Sequence, residues 1–541
     1  MGLRRWRRWR RAAAVVGGAG LTMLSTLPAS AATAIGPSTT TAPYVLPDAT
    51  GVDIHSLLTV SDTGAATNGY EMVGIPDGLG AYRSGRNVRV LMNHELGASS
   101  GAVRKHGQRG AFVSDLTLRT TTGEVTKGED LIDPGVRYYD YLTDTYAKSP
   151  NGSGLNVTTG RAFPAYNAAF ARFCSGTLAE KGRLYNPVTG NGYRNAIWMA
   201  NEESGDEGRV FGVTTAGKAY QLPRLGLASW ENMVPAPNET DTTTVMGLED
   251  GPSTGSQLWI YTGTKTSSGS PMDRAGLTNG TNHVLQVGGG PLSDAGLRAM
   301  IAADPDGKVD WTLSEVDWRQ SGAAQNAEAL AEGVNFNRVE DGEFDPHDKN
   351  VFYFVTTQGG VGATSGIAGR DGGGLWRLTF NDVENPAAGG TIELLLDGSE
   401  AIQLNKPDNL TIDRDNGIIL IQEDPGNNNH RARIVAYRIA DGATASLASF
   451  DAALFAPGAP GLLTLDEESS GIIDVTDLGF AAPKGLLPGS YPNGGVFLFD
   501  AQVHTASGLD NAAMQVERGQ LLIMAVADWD TILGPVTPIV P

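Results

Sequence analysis

Short apolar runs bounded by Gly, Asn and Asp recur along most of this chain, and they confine it to an all-β architecture. "VRVLMN" (88–93), "NAIWMA" (195–200), "QLWIYTG" (257–263), "VFYFVTT" (351–357), "GLWRLTF" (374–380), "GIILIQ" (417–422), "RIVAYRI" (433–439), "GVFLFDAQ" (495–502) and "LLIMAVAD" (521–528) are such runs. They are rich in Val, Ile, Tyr, Phe and Trp, which fit a pleated, half-buried surface. Gly, at 71 of 541 residues, supplies turns between them. Helical patterning is sparse. "QNAEALAEG" (325–333) is its clearest case, with Gly333 as the stop. Several runs close on carboxylates: His94-Glu95, Glu202-Glu203, Glu423-Asp424 and Asp528. Radial repetition of four-stranded blades brings such tips to one end of a central channel, whereas a sandwich scatters them over two edges. The expected fold is an all-β propeller over residues 46–541, with a few short helices and long insertions near 130–195 and 265–330.

The N-terminus reads as an export signal. "MGLRRWRRWRR" is a basic segment, "AAAVVGGAGLTMLSTL" is mildly apolar, and Ala29-Ser30-Ala31 fits a cleavage site. Residues 1–31 are therefore expected to be removed, by the twin-arginine or the general route, leaving a linker over 32–45 and a secreted or cell-envelope protein. Removal takes six arginines and no acids, so the charge moves from −20 to 34 − 60 = −26. That balance argues against nucleic acid as a partner. No stretch approaches the length of a membrane-spanning helix. The lone Cys174 rules out an internal disulfide. Stability must then come from a large core, bound metal, or both.

The acids cluster in "LMNHE" (91–95), "WMANEE" (198–203), "SWEN" (229–232), "NRVEDGEFDP" (337–346), "PDNLTID" (407–413) and "QEDPGN" (422–427). Arg338 and Glu340 share one face of an extended segment, so a guanidinium fork and a cation-binding carboxylate come together. If strand 409–413 pairs with strand 417–422, Asp408 converges with Glu423 at an exposed tip. Glu249-Asp250-Gly251 reads equally well as a plain turn, and Asp466-Glu467-Glu468 as a solvated loop. "DPDGKVDWTLSE" (304–315) has its glycine at the wrong loop position for an EF-hand and reads as a turn. An oxygen-rich set with little His and one Cys suits hard cations, calcium above all.

Taken in order, these stretches, with "CSG" (174–176), "GGLWRL" (373–378) and "DEESSGIIDV…FLFDAQ" (466–502), resemble the PhoX-type alkaline phosphatase family. The resemblance implies a six-bladed propeller and phosphomonoester hydrolysis by a calcium and iron cluster. It implies Glu202, Glu231 and Glu340 as cluster ligands, Asp408, Glu423 and Asp424 as calcium ligands, and Arg338 as the phosphate clamp. Glu203 joins the expected metal set with Glu95, and His94 the catalytic set. The family pattern has cysteine directly before the paired glutamates. Here that position is Asn201, a neutral donor, so Ca2+ is expected and Fe3+ is the point of departure; Cys174 is not expected to substitute. The expected partner is a small phosphate ester, and the expected state a monomer. Two alternatives stay open at this stage: phytase-like or phosphodiesterase action on the same scaffold, and a non-enzymatic propeller that uses calcium structurally and binds a partner.

Overall fold

The computed structural model describes residues 35–62, 66–252, 255–362, 369–480, 491 and 493–536. The export segment 1–31 lies outside these residues. Every apolar run named above forms a strand. The sheets are antiparallel and arranged like the blades of a propeller. Pro76–Ser84, Asn87–His94, Phe112–Arg119 and Val125–Asp130 form one sheet in chain order. Phe173–Ala179, Ile197–Glu202, Val210–Thr214 and Ala219–Gln221 form the next. A nine-stranded sheet follows. It joins the run from Trp230–Pro235 to Thr281–Gln286 with the run from Val339–Phe344 to Gly390–Leu396, through the bridging strand Lys308–Val316. Pro407–Asp413 opens a five-stranded sheet whose outer edge is Val45–Pro47. Glu467–Asp474 opens the last sheet, whose outer strand is the N-terminal Val52–Thr59.

The first strands pack side by side in the order Pro76, Phe173, Trp230, Val339, Pro407, Glu467, and the last lies against the first. Between them, each sheet turns one face to its neighbour. Leu79, Val90, Met92, Leu498, Leu521 and Ile523 fill the space between the last and first sheets. Leu91, Phe170, Phe173, Trp198 and Phe211 fill the next. The N-terminal strand therefore completes a sheet built from the C-terminus, which ties the two ends of the chain together.

Of the expected linker, residues 35–45 are described and lie on this body: Gly36 N–H donates to Ser56 O at 2.9 Å, and Val45 pairs with Phe450. The region near 130–195 carries the small hairpins Tyr138–Asp140/Thr145–Ala147 and Gly154–Leu155/Ala162–Phe163 ahead of the Phe173 strand. The region near 265–330 carries the helices Pro271–Arg274, Asp294–Ala303 and Gly322–Glu332, the last ending at Gly333 as the sequence predicts. Among the described residues, no helix is long and apolar enough to cross a membrane.

Two glycines sit where backbones approach closely, Gly78 against the neighbouring first strand and Gly342 against the second strand of its own hairpin. A Cβ on Gly78 would lie 2.3 Å from Gly176 N, and one on Gly342 2.6 Å from Tyr353 O, both backbone atoms that cannot swing away. Gly78→Ala and Gly342→Ala should each cost about 1–3 kcal/mol in urea denaturation by overpacking. Gly152→Ala, where a Cβ meets nothing within 4 Å, should leave the midpoint unchanged.

Candidate metal centre

One pairing register recurs at the same end of each first strand. Pro76 pairs with His94, Phe173 with Glu202, Trp230 with Glu249, Val339 with Thr356, Pro407 with Glu423 and Glu467 with Val503. Side chains alternate along a strand, so the next residue on each side faces the opposite way. On the first strands these residues are Asp77, Cys174, Glu231, Glu340, Asp408 and Glu468. Beyond the second strands they are Glu95, Glu203, Asp250, Thr357, Asp424 and His504. Their backbone is anchored too. Glu95, Glu203, Thr357, Asp424 and His504 donate their N–H to the carbonyls of Ile75, Arg172, Arg338, Lys406 and Asp466 at 2.8–3.1 Å. To turn those carbonyls inward, Ile75, Arg172, Arg338 and Lys406 adopt φ of 49°, 50°, 62° and 52°. That left-handed region is uncommon for residues other than glycine.

The result is a buried ring of donors. Ligand atoms of Asp77, Glu95 and Cys174 lie within 4.8 Å of one another, as do those of Cys174, Glu203 and Glu231, and of Glu231, Glu340 and Asp408. Cys174 Sγ donates to Asp77 Oδ2 at 3.3 Å. Ser175 N–H donates to Glu231 Oε1 at 3.3 Å, and the Thr357 hydroxyl to Glu340. Asp408 feels Glu340, Glu468, Glu231 and Asp424. A cavity of about 120 Å3 continues along the axis below the ring, lined by Ser175, Asn232, Asp341, Arg183, Arg414 and Asp474.

Burial and mutual repulsion act together on these groups. Desolvation, then Glu468 and Glu95, push Asp77 well above the usual carboxylate range. Desolvation, then Glu340 and Asp77, do the same to Glu231. Burial and Asp250 raise Glu340 to about 8. Burial, Asp77 and Glu231 push the Cys174 thiol up. Two unit charges at 4.8 Å repel by about 3 kcal/mol at an effective dielectric of about 20. The carboxylates outnumber the local cations Arg172, Arg338, Lys406 and His504. His504 is pushed up to about 11: burial works against its charge, but hydrogen bonds to Glu468 and Glu517 prevail.

Arg338 stands at the rim with its side chain 29% exposed. Its Nε and Nη2 donate to Asp250 at 2.8 and 2.7 Å, and Nη2 lies 3.4 Å from Glu340. Its Nη1 has no partner among the described residues.

Of the residues singled out in the sequence, Glu95, Glu203, Glu231, Glu340, Asp408, Asp424 and Arg338 come together here. The others do not. Glu202 points away from the ring: Arg209 donates to it from Nε at 2.6 Å and Nη2 at 2.7 Å, in a fully buried pair. Glu423 does pair across the hairpin near Asp408, but it is buried and turned to Arg433 and His430 at 2.6 and 2.9 Å. Burial alone would raise it; Arg433 and His430 hold it down at about 2. His94 is buried, stacked on Phe112 at 4.2 Å, and bonded to Ser114 Oγ at 2.8 Å. Burial lowers it to about 3, so it is a neutral packing group. Each of these three residues is one register step from the ring position.

Asn201 also lies one layer from the ring. It is buried at the position where Asn93, Gln422 and Gln502 reach the first strand of the following sheet. The thiol in the ring is Cys174. Asp250, read equally as an acidic site or a turn, and Glu468, read as a solvated loop, both face the cluster. Asp77 and His504 were not singled out at all. Asp528 caps the N-terminus of the helix Trp529–Leu533 instead. A sequence signal for the ring does exist: each first-strand donor precedes small or amide residues, as in Asp77-Gly78, Cys174-Ser175-Gly176, Glu231-Asn232, Glu340-Asp341-Gly342 and Asp408-Asn409.

The donors suit multivalent cations. Glu231, Glu340 and Asp408 form an all-oxygen set of the kind calcium takes. Cys174 belongs to two of the three sets and adds a sulfur donor, which as a thiolate is the soft ligand that iron accepts and that Asn201 lacks.

No protein-family model matches the chain, and no curated protein matches it in sequence. Among solved structures, Pseudomonas fluorescens PhoX in complex with vanadate, a transition-state analogue, matches with a TM-score of 0.56 at 12% identity, over 91% of this chain and 97% of that one. That likeness is one of fold. A protein of unknown function from Dyadobacter fermentans matches at 10% identity and a TM-score of 0.34, over 89% and 99%. The GH43 β-1,3-galactosidase BT3683 matches at 11% and 0.33, over 86% and 94%. These two carry no argument.

The Glu202–Arg209 pair gives a direct check on which glutamate is structural. Arg209→Leu should cost about 3–5 kcal/mol, because it strands a buried carboxylate. The double change Glu202→Leu/Arg209→Leu should recover most of that loss in the same urea titration.

Proposed function

We propose that this chain is a metal-dependent phosphoric monoester hydrolase of PhoX type, built on a six-bladed propeller, exported from the cell, and acting as a monomer on small phosphate esters. The observation that carries the reading is the buried ring of carboxylates and Cys174 with Arg338 at its rim. The blade count follows from reading the nine-stranded sheet as two blades joined by Lys308–Val316. Calcium is assigned to Glu231, Glu340 and Asp408, with Asp424 beside them. Iron is assigned to the sets that share Cys174, with Asp77, Glu95 and Glu203. When bound, such cations supply Lewis acidity at phosphoryl oxygens.

The chain's own residues do the rest. Asp250 holds the Arg338 fork by its Nε and Nη2, which fixes the plane of the guanidinium and leaves Nη1 for a phosphoryl oxygen. A preoriented donor of this kind stabilises charge as it builds on the oxygens and needs no reorganisation during the reaction. Glu340 raises the affinity of Arg338 for its proton, so the clamp stays charged. The Thr357 hydroxyl and Ser175 N–H hold Glu340 and Glu231 in place.

Purified protein supplied with calcium and iron should hydrolyse p-nitrophenyl phosphate, and a chelator should abolish the activity. Arg338→Ala should lower kcat/KM about 100–1000-fold with little change in melting temperature. If the protein hydrolyses no phosphate ester in any metal, and Arg338→Ala changes only its melting, the ring is a structural metal site.

A further inference from the structure

Arg338 has a counterpart two blades away. Arg172 also directly precedes a first strand, also adopts a left-handed φ, at 50° against 62°, and also gives its carbonyl to the residue beyond the second strand. Its guanidinium is held in the same way. Nε donates to Glu203 at 3.0 Å, and Nη2 contacts Glu203 and lies 2.6 Å from Glu95. As in Arg338, Nη1 has no partner among the described residues. The Arg172 side chain is 50% exposed, more open than Arg338. Each arginine binds the acid that follows the second strand of the preceding blade, Glu95 for Arg172 and Asp250 for Arg338. The two are linked across the ring, since Glu203 belongs with Glu231, and Glu231 with Glu340. Glu203 also feels the charge of Asp250, the partner of Arg338. The clamp is therefore repeated two blades along the ring.

We propose that Arg172 is a second substrate-binding guanidinium, and that Arg172 and Arg338 together select the terminal, dianionic phosphate of a monoester over a diester. This rests on the reading of the site as a phosphate ester hydrolase. A monoester phosphate has three non-bridging oxygens and two charges, so two forks can grip different oxygens of it. A diester has two non-bridging oxygens, one charge and a second organic group that must stand where one fork would bind. The first arginine serves either substrate; the second rewards only the monoester.

The test compares wild type, Arg172→Ala and Arg172→Lys, with metal content and melting temperature measured for each. Arg172→Ala should lower kcat/KM for p-nitrophenyl phosphate by about 30-fold or more and that for bis-p-nitrophenyl phosphate by about 3-fold or less. It should also weaken binding of inorganic phosphate in calorimetric titration. Arg172→Lys keeps the charge between Glu95 and Glu203 but lacks the fork, and should show the same loss of selectivity. Equal losses on both esters, wild-type selectivity in Arg172→Lys, or unchanged phosphate binding would each overturn the proposal. If Arg172→Ala loses metal or fails to fold, Arg172→Lys decides. If wild type hydrolyses neither ester, the hydrolase reading falls. The phosphate titration then decides whether Arg172 binds an oxyanion.

Discussion

The repulsion among carboxylates on the axis is the interaction that the rest of the fold has to withstand. Asp77, Glu231, Glu340 and Asp408 are each almost out of contact with water, and each stands close to another acid. In water such groups would separate. Here they cannot, because each sits on the second residue of a strand locked between two apolar interfaces. Trp198, Trp230, Trp259 and Trp376 are fully buried in those interfaces. The sheets thus hold charges together at a cost that a multivalent cation offsets, since its own charge is the largest local one and reverses the pKa logic. Arg172 and Arg338 neutralise part of the rim, and their remaining donors face outward.

A single register decides which residues join the ring. Alternation sends Glu202, Glu423 and His94 into the sheet interfaces and Glu203, Asp424 and Glu95 to the axis, although each pair is adjacent in sequence. The outward set is not idle. Glu202–Arg209 and Glu423–Arg433 are buried, hydrogen-bonded ion pairs that fix the loops beside the site. One layer below, Asn93 donates to Cys174 O at 2.8 Å, Gln422 to Ser469 Oγ at 2.7 Å and Gln502 to Asp77 Oδ2 at 3.0 Å. These three amides tie their sheets to the opening of the next, just beneath the donors.

This explains what could be read from the sequence. The strands were legible because their apolar residues mark them whatever their partners. The acids at second-strand ends were legible because a long apolar run precedes them. Their phase was not: a run ending in Asn201-Glu202-Glu203 looks the same whichever glutamate faces inward, until pairing fixes the register. The first-strand donors were harder, because Asp77 and Glu468 follow loops and precede glycine or serine, which reads as turn. Cys174 was hard to place for the same reason. Its place among acids is set by Asp77 and Glu231, which lie 97 and 57 positions away in the chain.

The account turns on the ring holding cations, and metal analysis by plasma mass spectrometry of protein purified without added metal tests that most directly. Wild type should retain tightly bound multivalent metal through gel filtration, with calcium among it. Glu231→Gln should lose most of it, and Cys174→Ala should lose iron in particular. Metal-free wild-type protein whose melting temperature does not respond to calcium, iron or chelator would contradict the account.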